Sequence, residues 1–196
     1  REKGWDPHWQ QIAKNLLPRQ SRFFSDQRNR GGDRNQNIID SAGTHALRTL
    51  AAGMMAGMTS PARPWFRLTL PDENLADHHA VRAWLDDVGK LLLRVFRKSN
   101  TYNTFHGMYR ELGGFGTAVS VIESNYDRII HHSPMTVGEY SLGLDDEGTV
   151  NKLTREFKLT VEQAVQWFGY SNLSASARSA YDTSSYTREI TVMHLI

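Results

Sequence analysis

Histidines are the residues of this chain with the widest chemical repertoire, so their spacing is considered first. The 196-residue chain contains eight histidines and no cysteine, which excludes disulfides, zinc–thiolate sites and thiol nucleophiles. Two pairs, His78-His79 and His131-His132, are adjacent in sequence. Adjacent residues on a helix point to different faces, and the His-Glu-x-x-His spacing of zinc peptidases is missing. We interpret the histidines as surface or strand-end residues and predict no metal site.

Acidic pairs and glycine-rich runs offer no better catalytic arrangement. The run Asp145-Asp146-Glu147-Gly148 lacks the alternating spacing of an EF-hand loop and is predicted to be a hairpin turn. Asp86-Asp87 falls on the polar face of a predicted helix, which favours solvent exposure or an inter-subunit salt bridge. The glycines at 113, 114 and 116 have no following Lys-Ser/Thr, so we predict a helix stop with a tight turn and no phosphate-binding loop.

No nucleophile elbow of the Gly-x-Ser-x-Gly type occurs either. We therefore predict no catalytic residue, no cofactor and no enzymatic activity. A hydrolase with a site invisible in the sequence stays an alternative, and it would require polar groups clustered in one pocket.

Positive charge is concentrated near the start of the chain. Residues 1–35 contain eight Lys or Arg residues against four Asp or Glu residues, whereas the whole chain has a formal net charge of only +2. Five of the basic residues form a loop-like cluster: Arg19, Arg22, Arg28, Arg30 and Arg34. This cluster can contact phosphate groups. Because five arginines spread over a loop are weak evidence of a nucleic-acid footprint, we favour a solvated loop, or arginines that pair with carboxylates of a neighbouring subunit.

Apolar residues at helical spacing predict the elements that would position these groups. We expect a short helix at 9–17, a long helix at 37–59, a second long amphipathic helix at 76–98 and a third helix from about residue 100 to Gly113-Gly114. Between the long helices, residues 64–70 are expected to be extended, and Asp72 or Asn74 to cap the next helix. Small residues in the 37–59 helix favour close approach of another backbone, and the candidates for this helix packing are Gly43, Ala46, Gly53 and Gly57.

The second half of the chain is predicted to mix strands with short helices. We expect a buried strand at 117–123, a strand at 128–132, a hairpin with arms at 139–144 and 149–160, and a last strand at 188–196. The run Thr160-Val161-Glu162-Gln163 matches the capping box that opens a short helix, and no element is assigned to residues 171–185. The fold class is therefore α+β: long amphipathic helices followed by a mixed region of strands and short helices.

Two regions follow from this organisation. Residues 1–36 are interpreted as an N-terminal arm that carries the basic loop, and residues 37–196 as one α+β region. No run of 18 or more residues is apolar, so no membrane span is predicted, and no signal peptide is visible. Because the chain opens without Met and stops within an apolar run at Ile196, we expect a fragment of a longer protein.

Short motifs occur in one order along the chain from about residue 17 to its end. A small-residue helix with Asp40, Ala46 and Leu50-Ala51-Ala52-Gly53 ends in Thr59-Ser60-Pro61 and is followed by Trp65-Phe66. Further along come Trp84-Leu85, Ser99-Asn100, Gly113, Phe115-Gly116-Thr117-Ala118, Ile122-Glu123, Gly138-Glu139, Gly148-Thr149-Val150, Arg155, Phe157 and Thr160. This ordered series resembles the head-to-tail connecting, or portal, proteins of short-tailed bacteriophages. Asn151 departs from the family pattern, which has Asp there.

The resemblance implies a structural role. Portal proteins form a homo-oligomeric ring, typically dodecameric, at one vertex of the capsid, and double-stranded DNA passes through the central channel during packaging and ejection. The implied partners are capsid protein, the large subunit of terminase and tail adaptor proteins. The implied location is the virion, after assembly in the host cytoplasm. This chain is expected to correspond to the wing of such a subunit, with the stem and clip beyond Ile196.

A helical DNA-binding module is the alternative function, and it depends on the basic loop from Arg19 to Arg34. It predicts salt-sensitive binding of DNA by this chain alone. The portal interpretation predicts weak or no binding of DNA by this part of the subunit.

Overall fold

The computed structural model describes residues 4–18 and 38–196, with the side chains of residues 73 and 74 left aside. The predicted boundary at 36/37 therefore lies outside the described residues. The chain divides into a helical unit that ends at Val137 and a sheet unit, Gly138–Ile196. Each unit contains helices and antiparallel strands, so the predicted α+β class is confirmed.

The helical unit consists of helices followed by one hairpin. In chain order these are α1 (Asp6–Asn15), α2 (Ala42–Met58), α3 (Glu73–Ala76), α4 (His79–Lys98), α5 (Thr101–Phe115), β1 (Val119–Asn125) and β2 (Ile129–Met135). In the sheet unit the elements are β3 (Tyr140–Leu144), β4 (Val150–Thr160), α6 (Val161–Phe168), α7 (Ala175–Asp182) and β5 (Glu189–Leu195). The three strands of the sheet unit are antiparallel in the order β3-β4-β5.

Both long helices begin later than their apolar periodicity predicted. Residues 38–41 precede α2, and the Asp40 carboxylate accepts a hydrogen bond from the Ala42 N–H at 3.0 Å. Ahead of α4, the Asp72 carboxylate accepts from the Leu75 N–H at 3.4 Å and starts the short helix α3. The long helix itself begins after His78 without a side-chain cap, so the predicted cap serves α3 and not α4. Periodicity alone cannot locate such starts, because a local side-chain hydrogen bond to the backbone competes with the helix.

Helix α5 does not stop at Gly113-Gly114, so this prediction is wrong. The helix continues to Phe115 and ends at Gly116, whose φ of +78° is the left-handed conformation that glycine adopts without strain. The Gly116 N–H donates to the Leu112 carbonyl at 3.0 Å. The two earlier glycines therefore have a packing role inside the helix.

That packing role is a close approach of α5 to α2 and to the residues after α1. A Cβ added at Gly113 would lie 2.9 Å from Leu50 Cδ2, and one added at Gly114 would lie 2.8 Å from Leu17 Cδ1. Leu17 and Leu47 are both buried at this contact. The candidates predicted for close helix packing lie on α2. The glycines that make the contact described here, Gly113 and Gly114, lie on α5.

Residues 64–70 are extended, as predicted, and are not paired in a sheet. The Trp65 ring stacks on Phe96 of α4 at 6.0 Å between centroids, and Phe66 contacts the same ring edge-on at 5.9 Å. The Trp65 indole N–H donates to the Tyr102 hydroxyl of α5 at 3.3 Å. The extended segment therefore adds an aromatic layer to the α4–α5 pair.

The hairpin of β1 and β2 is confirmed, but β1 is not buried. Its residues are half-buried or exposed, and 63% of Ile122 is accessible. Because a two-stranded hairpin has one face on the helices and no second layer, alternating residues stay in solvent. Ile129 opens β2 at a φ of +71°, an unfavourable conformation for a β-branched residue.

In the sheet unit, the hairpin turn and the helix cap form where short sequence motifs predicted them. Asp145 Oδ1 accepts from the N–H groups of Glu147 and Thr149, and Gly148 has a φ of +81°, so the predicted hairpin turn is confirmed. The capping box is also confirmed, because Thr160 and Gln163 exchange hydrogen bonds at 3.0 and 3.3 Å. Helix α7 was not predicted. The buried core consists of Leu159, Ala164, Leu173 and Ala177.

The glycine contact gives a testable prediction. Gly114→Ala is expected to lower the free energy of unfolding by about 1–2 kcal/mol, because the new methyl group overlaps the buried side chain of Leu17. The matched control is Gly107→Ala in the same helix, where no atom lies within 4 Å of the added Cβ. That control is expected to gain about 0.5–1 kcal/mol from helix propensity. Urea unfolding measures both, and equal effects of the two substitutions would contradict the packing role.

Candidate functional site

The most ordered polar arrangement in the helical unit joins β2 to the start of α5. The Asn100 side chain holds the backbone of His132 from both sides: its Oδ1 accepts from the His132 N–H at 2.8 Å, and its Nδ2 donates to the His132 carbonyl at 2.7 Å. Thr101 Oγ1 lies 2.9 Å from His132 Nε2, and Ser120 Oγ lies 3.5 Å from Nδ1. We call Asn100, Thr101 and His132 the polar clamp.

His132 is buried against the helices. Only 3% of the residue is accessible, and its ring contacts Phe105 edge-on at 5.8 Å. Burial lowers the pKa of His132, and the adjacent His131 lowers this pKa further. The neutral imidazole keeps one donor and one acceptor nitrogen, which suits two hydroxyl partners that can each donate or accept.

A second buried polar group fixes the other end of the hairpin. Glu111 of α5 accepts from the Thr136 hydroxyl at 2.6 Å and from the Val137 N–H at 3.2 Å. A buried carboxylate is tolerated where donors satisfy its oxygens. Asn100 and Glu111 thus attach β2 and the residues after it to opposite ends of α5.

The prediction that all histidines lie at the surface or at strand ends is wrong for His132. Asn100 was named only as part of the Ser99-Asn100 motif, without a role at His132, and Glu111 was not singled out in the sequence. The available signal was the pair His131-His132 inside a predicted strand, because successive strand residues point to opposite faces. One of the two imidazoles therefore had to face the helices.

The four candidate packing residues of α2 occupy different environments. Gly43 is close to the residues after α1, since an added Cβ would meet Leu16 Cδ2 at 2.6 Å. Ala46, Gly53 and Gly57 are exposed, and the space around the two glycines is open to 4 Å. These three lie on one stripe of the helix. Their role in helix packing stays a prediction, as does the role of the arginine cluster, which lies outside the described residues.

Large apolar side chains are exposed on α4. Trp84 and Leu91 are 62% and 57% accessible, and their spacing of seven residues places them on one stripe. Nearby, Asp87 pairs with Lys90 at 3.3 Å in an exposed ion pair, as the solvent-exposed interpretation of Asp86-Asp87 expects. An amphipathic helix with this much uncovered apolar surface is typical of subunits that bind other chains.

Within residues 4–18 and 38–196, no group of three or more His, Asp or Glu residues is arranged to hold a metal ion. The helices of the same ranges include none with the length and apolar character needed to span a bilayer.

Comparison with known proteins gives the family. The model of the "Bacteriophage head to tail connecting protein" family matches residues 1–196. The chain belongs to this family. The chain is similar to a "Probable portal protein" of Bordetella phage BPP-1, with 50% identity over 194 residues, and to the "Portal protein" of Salmonella phage epsilon15, with 40% identity over 194 residues.

These alignments cover 99% and 98% of the chain but only 35% of each phage protein. The chain thus spans about a third of the length of these portal proteins. The resemblance drawn from the ordered motifs is confirmed.

The polar clamp predicts a pH dependence of stability. Because the pKa of His132 is lowered below its ordinary value of 6.5, the unfolded chain binds more protons than the folded chain below that pH. This stabilisation is fully present above pH 6.5 and is lost as the pH falls through the folded-state pKa. One proton contributes a slope of at most about 1.4 kcal/mol per pH unit.

Urea unfolding between pH 7.5 and 4.5 measures this slope. His132→Gln is expected to make the decline toward acid shallower than in the wild type, whereas the exposed control His78→Gln is expected to leave it unchanged. Parallel stability curves for wild type and His132→Gln would show that His132 does not titrate differently on folding.

Proposed function

We propose that this chain is part of a structural subunit of the phage portal ring, which joins head to tail and through which DNA is packaged and ejected. The observation that carries the proposal is 50% identity to a probable portal protein across 99% of the chain. Since the chain spans only about a third of such proteins, the ring and its DNA path are proposals about the whole protein.

The described residues support a role in assembly. The helical unit exposes Trp84 and Leu91 on one helix and the small residues Ala46, Gly53 and Gly57 on another. A ring of identical chains requires heterologous contacts, in which two different patches of each subunit meet. Exposed apolar ridges and uncovered small-residue stripes on one chain are suitable surfaces for such contacts.

The proposal includes the partners and the location that the resemblance implied. The subunits form a ring at a capsid vertex of the virion, with this chain in the wing. Capsid protein, the large terminase subunit and tail adaptor proteins dock on the ring, and double-stranded DNA occupies its channel. Assembly takes place in the host cytoplasm, and the chain contributes no catalytic group.

The DNA-binding alternative is not retained. Both relatives carry the name of a portal protein. No second candidate function is supported by a specific observation.

Electron microscopy of the full-length protein, with particles classified by rotational symmetry, tests the proposed function. Closed rings of about twelve subunits around a central channel are the expected result, since heterologous contacts that close produce cyclic symmetry. Discrete monomers or dimers at every protein and salt concentration would contradict it.

The small-residue stripe of α2 gives a further prediction. Gly53→Leu and Gly57→Leu are expected to reduce ring formation, because a bulky side chain keeps a neighbouring helix away from the stripe. The matched control is Ala52→Leu, which is also exposed on α2 but lies about 100° around the helix from Gly53.

Gly53→Leu and Gly57→Leu are expected to gain about 0.5–1 kcal/mol of stability from helix propensity and Ala52→Leu to change little, because all three positions are exposed, so a loss of rings would not result from unfolding. The fraction of subunits in rings is then counted by electron microscopy. Equal ring formation by all three variants would exclude the stripe from subunit contacts.

A further inference from the structure

One face of the β3-β4-β5 sheet is only half covered within the sheet unit. Helices α6 and α7 pack over Phe157, Val192, Leu159 and Ile190 on that face. The face continues beyond them through two further cross-strand rows, set by the strand register. The first row is Tyr140, Arg155 and His194, and the second is Leu142, Leu153 and Ile196.

The second row is apolar and open to solvent. Leu142 and Ile196 are 38% and 55% accessible, and Leu153 is half-buried. Three apolar side chains in one row of a sheet are the pattern of a face that packs against another layer. In the first row Tyr140 is buried, whereas Arg155 and His194 are half-buried. We call the second row together with Arg155 and His194 the open sheet face.

Arg155 supplies a positive charge at the centre of the open sheet face. Its Nε donates to His194 Nδ1 at 3.0 Å, and its guanidinium lies 4.7 Å from the centre of the Phe157 ring. The terminal nitrogens form no hydrogen bond or ion pair with any residue that the structure describes. A half-buried guanidinium with its terminal donors free is suited to a carboxylate, which accepts two parallel hydrogen bonds.

The β3–β4 hairpin tip of the same unit carries acidic and apolar side chains, which complement Arg155 and the apolar row. Its turn contains Asp145, Asp146 and Glu147, and Leu144 and Val150 flank the turn with 63% and 52% of each residue accessible. The Asp145 carboxylate already accepts backbone hydrogen bonds within the turn. Asp146 and Glu147 therefore provide the carboxylates that are available to a partner.

The tip cannot reach Arg155 of its own chain. Val150, at the near end of the tip, is five residues from Arg155 along β4, which corresponds to about 16 Å in an extended strand. A second copy of the chain can bring an acidic, apolar-flanked segment of this kind onto the open sheet face. Every second copy of the chain carries such a segment.

We propose that the open sheet face binds the β3–β4 hairpin tip of a second copy of this chain, with Asp146 or Glu147 of that copy paired with Arg155. Leu144 and Val150 of the tip cover the apolar row. The contact joins two different patches, so it is heterologous and compatible with a ring. The biological role of this contact rests on the proposed function. The contact itself depends only on charge and apolar complementarity.

Charge reversal in the full-length protein tests the contact. Arg155→Glu and the tip variant Asp146→Arg/Glu147→Arg are each expected to raise, roughly tenfold or more, the protein concentration at which half of the subunits are assembled. Sedimentation velocity over a concentration series measures this value. Combining the substitutions is expected to restore assembly, because the exchanged charges can pair again.

Lys152→Glu is the matched control. It reverses the same charge on the same strand, but residues 152 and 155 point to opposite faces of the sheet, so assembly is expected to be unchanged. The tip positions are exposed in a turn, so the tip variant tests the contact even if Arg155→Glu lowers stability.

The outcomes separate this contact from the proposed function. Rings that form unchanged in the tip variant, or a combined variant that is not restored, would overturn the contact and leave the portal proposal standing. Charge-dependent assembly into particles other than rings would support the contact and contradict the portal proposal. A wild-type protein that stays monomeric would overturn both.

Discussion

The close approach of α5 to its neighbours is the constraint on which the helical unit depends. Gly113 and Gly114 allow Leu50 and Leu17 to lie where a Cβ would otherwise stand. The same helix carries Thr101 near its beginning and Glu111 near its end, and both bind the β2 side of the hairpin. Helix α5 therefore has a glycine surface for helix packing and a polar surface that positions the hairpin.

The buried polar groups that attach the hairpin to α5 matter mainly because removing one of them would leave its hydrogen-bond partner buried and unpaired. Asn100 satisfies both backbone groups of His132, and Glu111 satisfies the N–H of Val137. A net hydrogen bond stabilises a protein by only about 1 kcal/mol, whereas an unpaired buried partner costs about 1–3 kcal/mol. These groups therefore disfavour any other register of the hairpin on α5. For a subunit that presents surfaces to other chains, one defined register keeps those surfaces in one arrangement.

The surfaces themselves combine apolar area with selected charges. In the helical unit the exposed ridge of Trp84 and Leu91 is apolar, and the sheet unit pairs an apolar row with Arg155. Apolar burial supplies the free energy of association, and charge pairs select the partner and its orientation. Both surface features are compatible with membership of the head-to-tail connecting family.

Local rules in the sequence determined much of this protein. The hairpin turn at 145–148, the capping box of Thr160 and Gln163, the extended segment at 64–70 and the amphipathic helices all follow from residues within about five positions of each other. The ordered motifs determined the family, because they extend over most of the chain. Tertiary structure decided which glycines pack and which glycine ends α5, and it decided that His132 is buried. These outcomes depend on Leu17, Leu50, Asn100 and Phe105, which are between 27 and 97 residues away from the groups they contact, and local periodicity contains no information about such distant partners.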